Sequence, residues 1–154
     1  MTILGVKHFT YAVRDAAKSL ATYQRLLGLG QNETVREFPK SRTRAAYVYA
    51  GDIEFQLCES MDSDGRFAQW IDERGGEGLH HICFSVDDID SVLDHALSEG
   101  ATLKECRACQ VTGRHAHPEG WIAFLQDDVN GIEIELMQVY KEGEKERAMA
   151  AQGV

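Results

Sequence analysis

The sequence predicts an α+β fold in which two tandem βαβββ modules form a curved, barrel-like mixed sheet with the helices outside. The first observation is an internal repeat: His, two residues, an aromatic, a small residue, Val, any residue and Asp occur at 8–15 and again at 81–88. The second is that each copy ends on a matching apolar strand, Ile53–Leu57 in one and Ile132–Leu136 in the other. One such module cannot cover both faces of a small sheet, which favours two modules side by side.

The first module covers about residues 4–60. Its predicted elements are a strand over Val6–Val13, a helix over Ala16–Leu27, and strands over Ala45–Ala50 and Ile53–Cys58. Asp15 is placed to cap the helix, since an Asp side chain accepts hydrogen bonds from the free N–H groups of a first turn. Gly28 can end the helix in a left-handed conformation, and Gly51 with Asp52 supplies the turn between the last two strands.

The second module, about 78–140, repeats this order after a linker helix predicted within about 61–77. Its predicted elements are a strand over His81–Val86, a helix from about Asp88 to Ser98, and strands over Trp121–Gln126 and Gly131–Met137, with a turn at Asn130-Gly131. Residues 141–154 are charged and then Ala-rich, and we expect a mobile tail or a short surface helix there. Residues 1–154 are therefore predicted to form a single domain.

Composition places the chain among ordinary globular proteins. Of its 154 residues 44% are hydrophobic and 27% charged, so it can bury a core and is not disordered throughout. The net charge of −9 disfavours nucleic acid and anionic membrane surfaces as partners. No apolar run approaches the ~20 residues of a membrane span, and Met1–Lys7 lacks the features of a signal peptide. We expect a cytoplasmic protein.

A basic stretch interrupts this acidic chain. It consists of Arg36, Lys40, Arg42 and Arg44. One interpretation is a solvated loop. The other is an anchor for phosphate or carboxylate groups of a small anionic ligand, because local charge can differ in sign from net charge.

The four cysteines are expected to be reduced thiols without a function. Cys58 and Cys83 lie in apolar, strand-like runs, which is typical of small core residues. Cys106 and Cys109 form a Cys-x-x-Cys pair, but a structural zinc site needs four ligands and the sequence has no second such pair. The pair also lacks the strand-to-helix context of a thioredoxin-type site.

Four residues at matching places in the two modules predict a metal site inside the sheet. They are His8 and Gln56 in the first module and His81 and Glu135 in the second. Two imidazoles, an amide oxygen and a carboxylate suit one divalent ion of intermediate softness, such as Co, Ni, Mn, Zn or Fe(II). Taken singly, each of these residues is more often a core or surface residue, but their pseudo-symmetric placement favours the metal.

The same segments resemble the vicinal oxygen chelate superfamily over roughly residues 4–140. This superfamily includes glyoxalase I, methylmalonyl-CoA epimerase, extradiol dioxygenases and fosfomycin-resistance proteins, and the pattern is most like the epimerases. The shared segments are His8–Val13, the helix around Trp70, Gly78–Ile89 with its Gly-Leu-His-His start, and Ile134–Gln138. The resemblance implies the same four metal ligands, a homodimer and a small-molecule substrate such as an acyl-CoA.

By resemblance, the expected reaction is an isomerisation that moves a proton alpha to a carbonyl through a metal-chelated enolate. Glu135 is one expected proton carrier. The epimerases carry a second carboxylate on the strand before the Gln ligand, but Ala45–Tyr49 has none. Glu54 and Glu133 could replace it, since each lies two residues before a predicted ligand and on the same strand face. A structural role, as buried and hydrogen-bonded carboxylates, is the alternative for both.

Four further residues are predicted to touch the substrate or to supply the second proton carrier. They are Tyr47 and Tyr49 on the strand before Gln56, and His115 and His117 in the loop 113–120, which could equally be a polar hairpin loop. Because the usual carboxylate is missing, two other functions stay open. One is a glyoxalase-like lyase or a dioxygenase acting on a different small substrate, and the other is a non-enzymatic ligand-binding protein.

Overall fold

The structure, a computed structural model, describes residues 1–152, and for 127–129 it describes the backbone. The α+β class is confirmed, with four α-helices and ten β-strands along this part of the chain. The chain divides into two compact units, His8–Ile82 and Met1–Lys7 with Cys83–Val154. No helix within residues 1–152 combines the length and the apolar character that crossing a membrane requires.

The unit His8–Ile82 contains most of the first predicted module. Its elements are β1 (Ile3–Ala12, which begins in the other unit), α1 (Ala16–Leu27), β2 (Arg36–Phe38), β3 (Thr43–Ala50), β4 (Ile53–Ser60), α2 (Arg66–Arg74) and the start of β5 (Gly78–Val86). The strands lie in the order β2-β3-β4-β1, with β1 parallel to β4 and the other pairs antiparallel. The sheet is therefore mixed, as predicted.

The helix predicted over Ala16–Leu27 is confirmed with both of its ends. The Asp15 carboxylate accepts a hydrogen bond from the Lys18 backbone N–H at 2.9 Å, which satisfies one donor of the first turn. Gly28 ends the helix with φ of 66°, a left-handed conformation that glycine adopts without a Cβ clash. The helix packs against the apolar face of β3 and β4.

The two faces of this sheet differ in character. One face packs under α1, and the buried residues of this cluster are Val13, Ala16, Leu20, Ala46, Val48 and Leu57. On the other face, Ala12, Ala45 and Cys58 pack against Phe67 and Ile71 of α2. Side chains alternate along a strand, so this second face also carries the even-numbered residues of β1 and β4. Among them are three residues predicted for the site, His8, Glu54 and Gln56.

The other unit contains most of the second module. Its elements after β5 are α3 (Ile89–Ser98), β6 (Leu103–Cys106), β7 (Val111–Thr112), β8 (His115–His117), β9 (Gly120–Val129), β10 (Ile132–Gln138) and α4 (Glu144–Ala151). The strands lie in the order β5-β10-β9-β6-β7, and β8 also pairs with β9. The helix predicted from about Asp88 to Ser98 is α3, and Asp88 caps it through a bond from the Ser91 backbone N–H to its carboxylate. The turn at Asn130-Gly131 has positive φ at both residues.

Several short elements differ from the sequence expectation. The strands β2, β6, β7 and β8 have two to four residues each and were not predicted. The basic stretch is partly strand, with Arg36 in β2 and Arg44 in β3. Arg42 pairs with Asp62 through two hydrogen bonds of 2.9 and 3.0 Å, and Arg44 pairs with Glu37 and Glu59. The tail contains α4, of which Ala148 is buried.

Candidate functional site

Two predicted metal ligands lie together in the unit His8–Ile82. His8 on β1 and His81 on β5 are 3% and 5% exposed, and their ring centroids are 5.6 Å apart in an edge-to-face arrangement. Burying two imidazoles side by side is costly unless their nitrogens have partners. The pair is therefore a site where an ion or a hydrogen-bond network is to be expected.

The strand register explains how β4 brings its polar residues to the same place. His8 lies opposite Glu54, and Thr10 lies opposite Gln56, in the parallel β1–β4 pair. The Glu54 carboxylate lies 3.6 Å from His8 Nδ1 and accepts a hydrogen bond of 3.0 Å from Gln56 Nε2. Gln56 Oε1 accepts a bond of 3.2 Å from the Thr10 hydroxyl. These bonds fix the amide, so that its oxygen stays on the face that carries His8.

Tyr49 completes the contacts of Glu54. It lies opposite Glu54 in the antiparallel β3–β4 pair, and its hydroxyl donates to Glu54 Oε1 at 2.7 Å. This hydrogen bond, aided by burial and by the carboxylate charge, raises the pKa of Tyr49 to about 12. The hydroxyl therefore stays protonated near neutral pH and acts as a donor. Tyr47 lies opposite Gln56 on the same face, with the Arg36 guanidinium 5.3 Å from its ring centroid.

His80 is a supporting residue that the sequence interpretation did not assign to the site. Its Nδ1 lies 2.8 Å from Nδ1 of His81, so one of the two rings donates and the other accepts. The His80 ring is 2% exposed and packs against Phe67 and Trp70 of α2, at centroid distances of 4.8 and 5.5 Å. This contact fixes the orientation of the His81 ring.

The other unit holds Glu133 and Glu135, which alternate onto one face of β10. Both are buried, at 3% and 6% exposure. Carboxylates are rarely buried in folded proteins unless they have a partner. Glu133 forms an ion pair with the half-exposed Lys104 of β6. Glu135 lies opposite Phe124 of β9. Glu54 is also buried, so all three predicted catalytic carboxylates are shielded from bulk water.

His115 and His117 lie on β8 in this second unit. His115 is 3% exposed, and its Nδ1 bonds the Gly113 carbonyl at 2.8 Å. His117 is held through its backbone, whose N–H and carbonyl both bond the Tyr140 hydroxyl. Within the loop predicted at 113–120, residues 115–117 form a short strand that makes a hairpin with β9, with His115 buried and His117 partly buried. Its histidines remain a prediction as substrate contacts.

Comparisons with known proteins place these features in a family. A family model described as "Glyoxalase/Bleomycin resistance protein/Dioxygenase superfamily" matches residues 7–116. The mitochondrial methylmalonyl-CoA epimerase of Homo sapiens is 29% identical over 136 residues, which cover 86% of this chain and 73% of that protein. The ethylmalonyl-CoA/methylmalonyl-CoA epimerase of Cereibacter sphaeroides is 25% identical over 135 residues, which cover 87% of this chain and 97% of that protein.

A solved structure supports the same fold. The crystal structure of methylmalonyl-CoA epimerase from Mycobacterium tuberculosis superposes with a TM-score of 0.71 at 23% identity, over 91% of each chain. This likeness concerns the fold, and it agrees with the α+β class and the mixed sheet described above. The family model spans most of the sequence, and the resemblance carried by the motifs is confirmed: the chain belongs to the glyoxalase/bleomycin resistance protein/dioxygenase superfamily.

Proposed function

We propose that the chain is a metal-dependent epimerase that moves a proton alpha to the carbonyl of a small acyl-CoA, most like methylmalonyl-CoA epimerase. The observation that carries the proposal is the buried His8–His81 pair, with Gln56 and Glu54 on the same strand face. The similarity to epimerases of two acyl-CoA substrates supports the reaction class.

The residues present fit a divalent ion. We propose His8, Gln56, His81 and Glu135 as its ligands, a set of two imidazoles, an amide oxygen and a carboxylate that Co, Ni, Mn, Zn or Fe(II) accept. The contact with His80 and the bonds to Gln56 fix two of these side chains before any ion binds, which lowers the cost of assembling the site. When bound, the ion supplies Lewis-acid stabilisation for a substrate oxygen that gains negative charge.

Epimerisation needs a proton removed on one face of the alpha carbon and returned on the other. We propose Glu135 and Glu54 as the two carriers. Glu54 is buried and held by Tyr49 and Gln56, so its carboxylate is oriented rather than free to rotate. Glu133 is the alternative, but its ion pair with Lys104 engages it within its own unit. Glu54 therefore replaces the carboxylate that Ala45–Tyr49 lacks.

The proposal is tested by proton exchange. Metal-loaded protein is incubated with methylmalonyl-CoA in deuterated buffer, and loss of the alpha-proton NMR signal is compared with samples that contain chelator or no enzyme. We expect fast exchange that the chelator stops. If metal is bound and exchange stays at background, the epimerase proposal is rejected, and glutathione-dependent turnover or oxygen uptake would then identify a lyase or a dioxygenase.

A substitution at Glu54 separates its role as a proton carrier from a role in positioning. Glu54→Gln keeps the size of the side chain and an oxygen that Tyr49 can bond, but it cannot accept a proton. We expect epimerisation to fall by about 10²–10⁴-fold. Exchange should persist for the one epimer whose proton faces the remaining carrier. The measurement is deuterium incorporation into each separate epimer.

The matched control is Glu99→Gln, which changes an exposed carboxylate at the end of α3. It should leave both exchange rates unchanged. If Glu54→Gln slows both epimers equally and also lowers metal content, Glu54 positions His8 and carries no proton.

A further inference from the structure

We propose that Cys106, Cys109 and His115 form a second metal site, for a soft divalent ion such as Zn²⁺. One donor atom of each residue lies within 4.8 Å of the donor atoms of the other two. All three residues belong to the same unit, Met1–Lys7 with Cys83–Val154, and none is among the ligands proposed above. The proposal does not rest on the epimerase reaction, but it gives His115 a different role from the substrate contact predicted above.

The turn between β6 and β7 brings the two sulfurs to the same side. Cys106 ends β6 and pairs with Val111 of β7, so the Cys-x-x-Cys segment spans the tip of a hairpin. The Gln110 backbone N–H closes the turn on the Cys106 carbonyl at 2.7 Å, and Gln110 adopts φ of 57°. The turn also directs the Cys109 backbone N–H at the Cys106 sulfur. All four cysteines are thiols rather than disulfides, so both sulfurs of the pair can ligate an ion.

His115 is prepared as the third ligand. The Gly113 carbonyl can only accept a hydrogen bond, so the 2.8 Å contact assigns the ring proton to Nδ1 and leaves a lone pair on Nε2. Nε2 is buried and has no hydrogen-bond partner of ordinary geometry within residues 1–152. A metal-binding His commonly donates its other N–H to a backbone carbonyl in this way, which orients the ring. Besides the Gly113 carbonyl, the Cys106 thiol and the Glu135 carboxylate interact with the ring.

The donor set selects the ion. Two thiolates and one imidazole favour Zn²⁺ over Mg²⁺ or Ca²⁺, which prefer oxygen. Three protein ligands leave a fourth tetrahedral position for water or another ligand. Cys106 and His115 are buried whereas Cys109 is partly exposed, which gives the ion a path from solvent. This composition also distinguishes the site from the proposed epimerase centre, which contains no sulfur ligand.

The test uses Co²⁺ as a spectroscopic substitute for Zn²⁺ in the full-length, reduced, metal-free protein. We expect a thiolate-to-cobalt charge-transfer absorption that saturates at one equivalent and disappears when Zn²⁺ is added. Cys109→Ala should abolish the absorption and lower bound Zn²⁺ by one equivalent in equilibrium dialysis. Cys109 lies in a partly exposed turn, so this variant should fold, and circular dichroism checks that it does.

The matched control is Cys58→Ala, a buried cysteine in the other unit, which should keep the absorption. His81→Ala should keep it too, so loss of the epimerase centre and loss of the thiolate site give different results. The proposal is overturned if the unaltered protein shows no charge-transfer absorption. It is equally overturned if Cys109→Ala retains the absorption, or if the reduced pair closes to a disulfide in the presence of excess Zn²⁺.

Discussion

His81→Ala is expected to abolish proton exchange and binding of the divalent ion at the proposed epimerase centre. The His81 ring is buried beside His8, and its Nδ1 is engaged by His80, so Ala at this position removes a proposed ligand that the fold holds in place. Lewis-acid stabilisation is worth several kcal/mol, so we expect a fall in rate of about 10³-fold or more. The measurement is exchange into methylmalonyl-CoA together with the metal content of the same sample.

The control for this prediction is His95→Ala, the same substitution at an exposed position of α3. It should exchange protons at the rate of the unaltered protein. Equilibrium unfolding of both variants shows whether His81→Ala remains folded. Full activity in a folded His81→Ala variant would refute the assignment of His81 as a ligand, whatever its metal content.

The long elements could be predicted because local signals agree with tertiary contacts. The helix over Ala16–Leu27 has an Asp cap and a terminal glycine, which the structure uses, and it buries Ala16 and Leu20 but leaves Leu26 and Leu27 exposed. The short strands β2, β6, β7 and β8 have no such signal. Two to four residues are too few for a period, and these strands form because a neighbouring strand offers unpaired backbone groups. The neighbour is β3 for β2, β9 for β6 and β8, and β6 for β7, and the sequence alone does not align these pairs.

The candidate site likewise has parts that the sequence predicts and parts that it does not. The internal repeat selects His8 and His81, and strand alternation places Glu54 with Gln56, because these inferences need only a period of two. Alternation also directs His80 away from His81, yet the two Nδ1 atoms are 2.8 Å apart. The contact depends on the conformations of the two side chains, which no strand pattern encodes.

The second proposed metal site could not be derived from spacing. Cys106 and Cys109 are a recognisable pair, but their third partner comes from β8, whose position depends on its pairing with β9. The pairing sets His115 opposite Ile122, and Ile122 packs in the same apolar cluster as Cys106. A search of the sequence for the spacing of zinc ligands cannot find a ligand that strand pairing brings close to the others.

Glu135→Gln is expected to stop epimerisation while leaving the metal in place. Gln56 shows that an amide oxygen belongs to the proposed ligand set, so a glutamine at 135 can still offer an oxygen donor. It cannot accept a proton, and loss of a positioned acid–base group costs about 10²–10⁴-fold in rate. We expect the affinity for the metal to stay within about tenfold of that of the unaltered protein. Exchange should persist only for the epimer that Glu54→Gln fails to exchange.

Opposite exchange patterns in the Glu54→Gln and Glu135→Gln variants distinguish two proton carriers from one. If Glu135 and Glu54 serve opposite faces of the alpha carbon, each single variant blocks epimerisation but exchanges a different epimer, and the double variant exchanges neither. Glu146→Gln, on an exposed position of α4, controls for the change of charge. A Glu135→Gln variant that binds metal and epimerises at the normal rate would show that another group carries the proton. Equal loss of both epimers with metal retained would instead make Glu135 the single carrier, because a proton moved by one group from either face depends wholly on that group.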